Sequence, residues 1–253
     1  MLGYIILFSL LGSVGSMAGG VLLLWKEQHA QRAALFLISF AAGVLLSVGF
    51  LDLLPEALEK FSGDIHLVSI TALLAMALVF VVERFLWWYH HHRFEAEEHH
   101  KEHHELHMLN RGQAYILLSG DALHNFIDGV LITAAFFVSF PLGISVSIGI
   151  IAHELPQEIA DFSVMLNAGF KRLNIFLLNL SAALATLIGA MVSFFVLDFV
   201  EISIPYILAT AFGVFTYIAL SDLIPAIHHQ SEHKYDILHF LFFTAGLAIF
   251  FLI

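Results

Sequence analysis

The sequence predicts an all-α polytopic membrane protein with eight transmembrane helices. Three observations carry that expectation. The chain of 253 residues is 60% hydrophobic and only 12% charged, about half the charge of an ordinary soluble domain. Its mean hydropathy is +0.89. Apolar runs of roughly 20 residues, the length that spans a bilayer as a helix, recur from end to end. They are too long and too uniformly apolar for the strands of a membrane barrel.

The elements follow in order. Span 1, Leu2 to Trp25, begins without a basic segment or a small-residue cleavage site, so it reads as a true span and not a removable signal. Span 2, Ala33 to Leu58, is apolar until Asp52 and Pro55. Span 3, Leu67 to Trp88, ends at a histidine-rich stretch. Spans 4 and 5, Gln113 to Val138 and Leu142 to Ala168, are apolar but carry acids. Span 6, Asn174 to Leu197, contains no acid. Span 7, Ile204 to Ile227, repeats the Asp and Pro pattern of span 2, and span 8 runs from Tyr235 to Ile253. The chain reads as one transmembrane domain, 1–253, with a histidine-rich loop at 90–110.

Basic residues set the orientation. The loops after spans 1, 3, 5 and 7, with their flanks, hold nine of the ten Lys and Arg residues, and only Lys60 follows an even-numbered span. Positive charge stays on the cytoplasmic side. Both termini are therefore expected outside the cytoplasm, in a multi-pass protein of the cell membrane. There is no cysteine, which excludes disulfides and thiolate metal sites. The net charge of −11 gives no footprint for nucleic acid or a polybasic lipid patch.

Spans 2 and 7 share a pattern. Gly43-Val44 precedes Asp52-Leu53-Leu54-Pro55, and Gly213-Val214 precedes Asp222-Leu223-Ile224-Pro225 at the same separation. Spans 1–3 and 6–8 then read as repeats around a central pair, spans 4 and 5. Three spans per repeat force an inverted relation, a 3+2+3 transporter architecture. Pro55, Pro156 and Pro225 each follow a span acid closely. Proline has no N–H to donate, so each frees a carbonyl in the preceding turn. Kinked helices around a central metal path are the expectation, with Asp52, Glu158, Asp161 and Asp222 along it.

The central pair carries the chemistry. From Gly112 to Phe170 there is no Lys or Arg, yet there are five carboxylates: Asp121, Asp128, Glu154, Glu158 and Asp161. Ionisable groups at membrane depth persist where they are paired or line a polar path. With no basic partner in the stretch, a bound cation supplies the missing charge most simply. His124 and Asp128 are four apart and share a helix face, as do His153 and Gln157. Glu154 and Glu158 form the neighbouring stripe, and Asn125 adjoins His124. Imidazole with carboxylate suits zinc, and also iron, manganese or cobalt. A lone intramembrane histidine more often serves as a helix–helix hydrogen-bond partner. Two of them, each with an acid at or beside helical spacing, point to a metal.

These strings, HNFIDG at 124–129 and HELPQEIADF at 153–162, resemble the motifs HNFxDG and HExPHExxDF of the ZIP (Zrt/Irt-like protein) family of divalent metal transporters. The resemblance covers essentially the whole chain. It implies a binuclear metal centre between spans 4 and 5, with His124, Asp128, His153 and Gln157 at the main position and Asn125 and Glu154 at the adjoining one. The chain departs from the motif at Gln157, where the family motif has His. An amide is a weaker zinc ligand than imidazole. Some relatives supply a further ligand from span 6, where Asn179 is the nearest polar candidate. The resemblance also implies a homodimer.

Eight of the sixteen histidines lie between His90 and His107, among five glutamates. The segment reads either as a cytoplasmic metal-collecting loop or as a solvated linker. His228, His229 and His233 form a second group after span 7 that can receive metal at the inner mouth. The expected function is import of zinc, or a related divalent metal such as iron, manganese, cobalt or cadmium, into the cytoplasm. The metal is substrate, with no catalytic cofactor and no enzymatic activity expected, and the lipid bilayer is the surrounding partner. Two other readings stay open. HELPQ is one residue short of the HExxH of zinc proteases, so an intramembrane metallohydrolase is one. A proton-coupled cation exchanger is the other.

Overall fold

The computed structural model describes residues 1–61, 63–95, 111–197, 203–230 and 235–252. Among them there are helices and no strands. We number eight helical rods: α1 Leu2–Trp25, α2 Glu27–Glu59, α3 His66–Glu95, α4 Arg111–Val138, α5 Phe140–Asn167, α6 Arg172–Leu197, α7 Ile204–His229 and α8 Asp236–Phe251. Six of them, α1 to α4, α6 and α7, are long and apolar enough to cross a membrane. The α5 helix, at 28 residues, is as long as α4, but Glu154, Glu158 and Asp161 interrupt its apolar character. The α8 helix is shorter. The rods follow the expected spans closely. The exceptions are α2, which starts earlier, at Glu27, where a polar turn precedes its apolar part, and α3, which ends later, at Glu95, inside the expected loop.

Large apolar side chains cover the outside. Leu73, Leu74 and Leu78 on α3 are each more than 60% exposed, as are Ile237 and Phe240 on α8. Contiguous apolar surface on this scale is not tolerated in water, and lipid is its natural solvent. The buried core is built differently, from small residues that let backbones approach. A Cβ on Gly129 of α4 would strike the Thr186 carbonyl and the Ala190 amide of α6, and one on Gly189 of α6 would strike the Phe126 carbonyl of α4. Gly19 and Gly20 of α1 press on Leu155 and Phe162 of α5. Gly43 of α2 and Gly246 of α8 face each other, and Gly213 of α7 lies on Ala72 and Ala75 of α3. Close pairs are thus α4 with α6, α1 with α5, α2 with α8, and α3 with α7.

Two interruptions match in register. In α2 the residues Val48–Leu53 form a π turn, and in α7 the residues Ile218–Leu223 do the same. Each holds its aspartate, Asp52 or Asp222, and each gives way to regular helix just before Pro55 or Pro225. A π turn changes the hydrogen-bond register, and such turns concentrate at functional positions. Proline is tolerated there because the first turn of the following helical segment has no use for its missing N–H. A third π turn, Leu11–Gly15, lies in α1. The α5 helix continues through Pro156.

The two motif helices are joined by a single residue. Ser139 is extended, its hydroxyl accepts a bond from the Leu142 amide at 3.2 Å, and Pro141 follows in the first turn of α5. Serine at the cap and proline just inside are the expected start signals. This sharp reversal packs α5 back along α4 and brings their polar strings together.

Candidate metal site

Four side chains converge between α4 and α5. His124, Asp128, His153 and Glu154 each offer a ligand atom, and all four atoms lie within 4.8 Å of one another. His124 Nε2 is 3.6 Å from Asp128 Oδ2 and 3.5 Å from Glu154 Oε1. His153 Nε2 is 3.5 and 3.8 Å from the same two oxygens, and the two Nε2 atoms are 3.1 Å apart. A tetrahedral zinc with bonds of about 2.0–2.2 Å sets its ligand atoms about 3.3–3.6 Å from one another. The five edges that involve an imidazole, 3.1 to 3.8 Å, bracket that value.

The electrostatics point the same way. Asp128 Oδ2 and Glu154 Oε1 are buried and have no hydrogen-bond partner, although the side chains are only 1% exposed. Buried carboxylate oxygens without partners are costly. Here the two are the oxygens that face both imidazoles. The His153 tautomer is fixed by its own helix. Its Nδ1 lies 2.9 Å from the Gly149 carbonyl. A carbonyl only accepts, so Nδ1 carries the proton and Nε2 keeps a lone pair turned to the cluster. An N–H held in this way is how proteins orient a metal-binding histidine. His124 is the one partly exposed member, at 23%, and so gives the cluster an opening.

The remaining residues of the expected set lie in an adjoining polar group centred on Asp121. Gln157 Nε2 donates to Asp121 Oδ1 at 3.1 Å, and Asn125 Nδ2 donates to the same oxygen at 3.0 Å. Asn125 Oδ1 accepts from the Thr186 hydroxyl at 2.7 Å. Gln157 occupies the position where a zinc protease carries its second histidine, and its amide is turned to Asp121. Asp121 was legible only as one of five span acids. Its spacing of four from Asn125 was the available signal. Span 6 enters through Thr186. Asn179 instead donates to the Ile175 carbonyl at 2.8 Å and faces Met165 Sδ.

The other acids are spread out. Glu158 is 2% exposed with Oε2 unpartnered, and Asp161 is half-buried one turn further along α5. Asp52 lies beside Ser145 of α5. Asp222 is exposed and accepts from Ser221 at 2.8 Å. The loop histidines from His99 to His107, and His233, lie outside the described residues.

The Asn125–Thr186 bond lends itself to a direct test. Both residues are at most 1% exposed. Thr186→Val keeps the shape and leaves Asn125 Oδ1 without a donor. The expected cost is about 1 kcal/mol, read as a lower thermal unfolding midpoint of the purified protein in detergent. An unchanged midpoint would mean that the amide finds another donor.

Apolar rods clad for lipid, around a buried group of metal-ligating side chains, define a polytopic helical membrane protein with a potential metal-binding site. The profile of the family described as ZIP Zinc transporter matches residues 1–112 and 90–253. The chain belongs to that family. Among its relatives, Zinc transporter ZIP4 of Homo sapiens is 40% identical over 133 residues, 53% of this chain and 20% of that protein. Zinc transporter ZIP4 of Mus musculus is 39% identical over the same length. Zinc transporter ZIP10 of Danio rerio is 37% identical over 123 residues, 48% of this chain and 14% of that protein. The match thus spans a fifth or less of the length of these relatives. All are named as transporters and none as an enzyme.

Proposed function

We propose that this protein carries zinc, or a closely related divalent metal, across the cell membrane into the cytoplasm. The transported ion is held by His124, Asp128, His153 and Glu154. One observation carries the reading: two unpartnered buried carboxylate oxygens and two imidazole nitrogens gather within 4.8 Å of one another. Asn125 and Gln157 supply an adjoining position when they release Asp121, and Asp52, Glu158, Asp161 and Asp222 mark the way to and from the centre.

The architecture we propose is eight spans in a 3+2+3 inverted repeat, within a homodimer as the family resemblance implies. An operation exchanging helix 1 with 6, 2 with 7, 3 with 8 and 4 with 5 turns the α4–α6 pair into α5–α1, and α2–α8 into α7–α3. These are four of the glycine-lined pairs, and the matched π turns of α2 and α7 fit the same operation. Alternating access follows when one set of helices moves against the other around the α4–α5 centre. The nine-to-one bias of basic residues supports an orientation with both termini outside and the 90–110 loop in the cytoplasm. A potential of 100 mV, negative inside, then favours entry of a divalent cation by about 4.6 kcal/mol.

The test is zinc entry into proteoliposomes that contain the purified full chain and an enclosed fluorescent zinc indicator. Saturable influx is expected, faster with an inside-negative potential, and competed by other divalent metals in an order that ranks the substrates. Uptake no faster than in empty liposomes would end this reading.

A further inference from the structure

A cavity of about 410 Å³ opens where the end of α7 meets the start of α8. Its wall includes Ile227 and His228 from α7, and Asp236, His239, Phe240 and Phe243 from α8. It involves none of the four residues of the α4–α5 cluster. Most of this lining is apolar, so the two imidazoles and the carboxylate stand out.

His239 is the fixed member. It is 5% exposed, and its ring stacks on Phe36 of α2 at a centroid distance of 4.9 Å and an interplanar angle of 25°. Its Nδ1 lies 2.7 Å from the Ser39 hydroxyl. That hydroxyl in turn donates to the Leu35 carbonyl at 3.1 Å. With the Ser39 proton on the Leu35 carbonyl, Ser39 accepts from the imidazole and Nδ1–H is the donor. Nε2 therefore keeps its lone pair, and it is buried without a hydrogen-bond partner. His239 lines the cavity, and Nε2, closed off at rest, is the ring nitrogen left for a ligand. A histidine held through one nitrogen, with the other unpartnered, has the arrangement of an oriented metal ligand.

We propose that His239, His228 and Asp236 form a second divalent-metal site, separate from the α4–α5 cluster. Two imidazoles and one carboxylate are the donor set of an open zinc site, with the fourth position left to water. Asp236 precedes His239 by three residues on α8, so the two share a helix face. His228 reaches the same cavity from the last turn of α7. Among the described residues only the His124 group has its ligand atoms already gathered within 4.8 Å. The second site therefore closes on its metal, as the exposed His228 and Asp236 side chains turn onto a preset Nε2. It binds more weakly than the central cluster and exchanges faster, which suits a station for loading or release.

The experiment is zinc binding by equilibrium dialysis to the full chain carrying His153→Ala, which disables the central cluster and keeps the two sites' fates apart. All other histidines remain as a common background. Adding His239→Asn is expected to remove one equivalent of bound zinc. His228→Ala and Asp236→Asn are each expected to weaken that equivalent at least tenfold. Both of these residues are exposed, and Asp236→Asn keeps the side chain's size. Unchanged binding in all three variants overturns the site. Loss with His239→Asn alone overturns the ligand set, because it assigns the effect to altered packing around Ser39 and Phe36.

Discussion

His153→Ala and Asp128→Asn will each reduce saturable zinc uptake by more than about 100-fold. Loss of a group that merely orients a metal ligand typically costs 10–100-fold in affinity, and these two residues are proposed as the ligands themselves. Both side chains are 1% exposed. His153→Ala removes a nitrogen whose lone pair is aimed at the cluster by the Gly149 carbonyl. It leaves Asp128 and Glu154 facing each other with less to separate their charge. Asp128→Asn keeps the volume of the side chain and removes one negative charge, so it separates ligation from packing. The measurement is initial influx into proteoliposomes at several zinc concentrations, with monodispersity in detergent as the folding control. Variants that fold normally and transport like the parent would show that the ion passes elsewhere.

Gly129→Val will force α4 away from α6. The added side chain would run into the Thr186 carbonyl and the Ala190 amide of α6. Both are backbone atoms, so relief requires a shift of the whole helix. Overpacking of this kind typically costs about 1–3 kcal/mol and sometimes more, and the upper end is expected because nothing flexible can give way. Asp128 is the preceding residue, and Thr133 of α4 also donates to the Gly129 and Ala190 carbonyls at 3.0 and 3.2 Å. Separation of α4 from α6 therefore disturbs the metal cluster as well as the fold. The expected result is a lowered unfolding midpoint together with lost zinc binding. Gly3→Ala is the matched control, since a Cβ there meets nothing within 4 Å, and it is expected to behave like the parent. A Gly129→Val protein with unchanged midpoint and zinc binding would mean that α4 and α6 are not held at this distance.

Much of this was legible from residue order alone. Apolar length located the helices, because a bilayer demands about 20 apolar residues and every backbone group must be bonded within the segment. Helical spacing paired His124 with Asp128, because residues four apart share a face whatever else the helix touches. The Asp-x-x-Pro repeat marked the two stretches where α2 and α7 adopt π turns, although it did not reveal the turns themselves.

The same local rule did not say which stripe of α5 would face α4. His153 and Gln157 share a face, yet Glu154, about 100° round the helix, is the residue that joins His153 in the cluster. Gln157 turns to Asp121 instead. The rotation of α5 about its axis decides this. It is set by contacts distant in sequence, such as Gly19 and Gly20 of α1 against Leu155 and Phe162. Asn125 was likewise drawn to Asp121 by a Thr186 hydroxyl that only the α4–α6 approach brings within reach. The His239 ring is held by Ser39, two hundred residues earlier in the chain. The sequence by itself determined the helices and the residues able to bind a metal, because both follow from local chemistry. Only the tertiary structure decided which of them meet, because the rotation and approach of packed helices depend on contacts that no single segment contains.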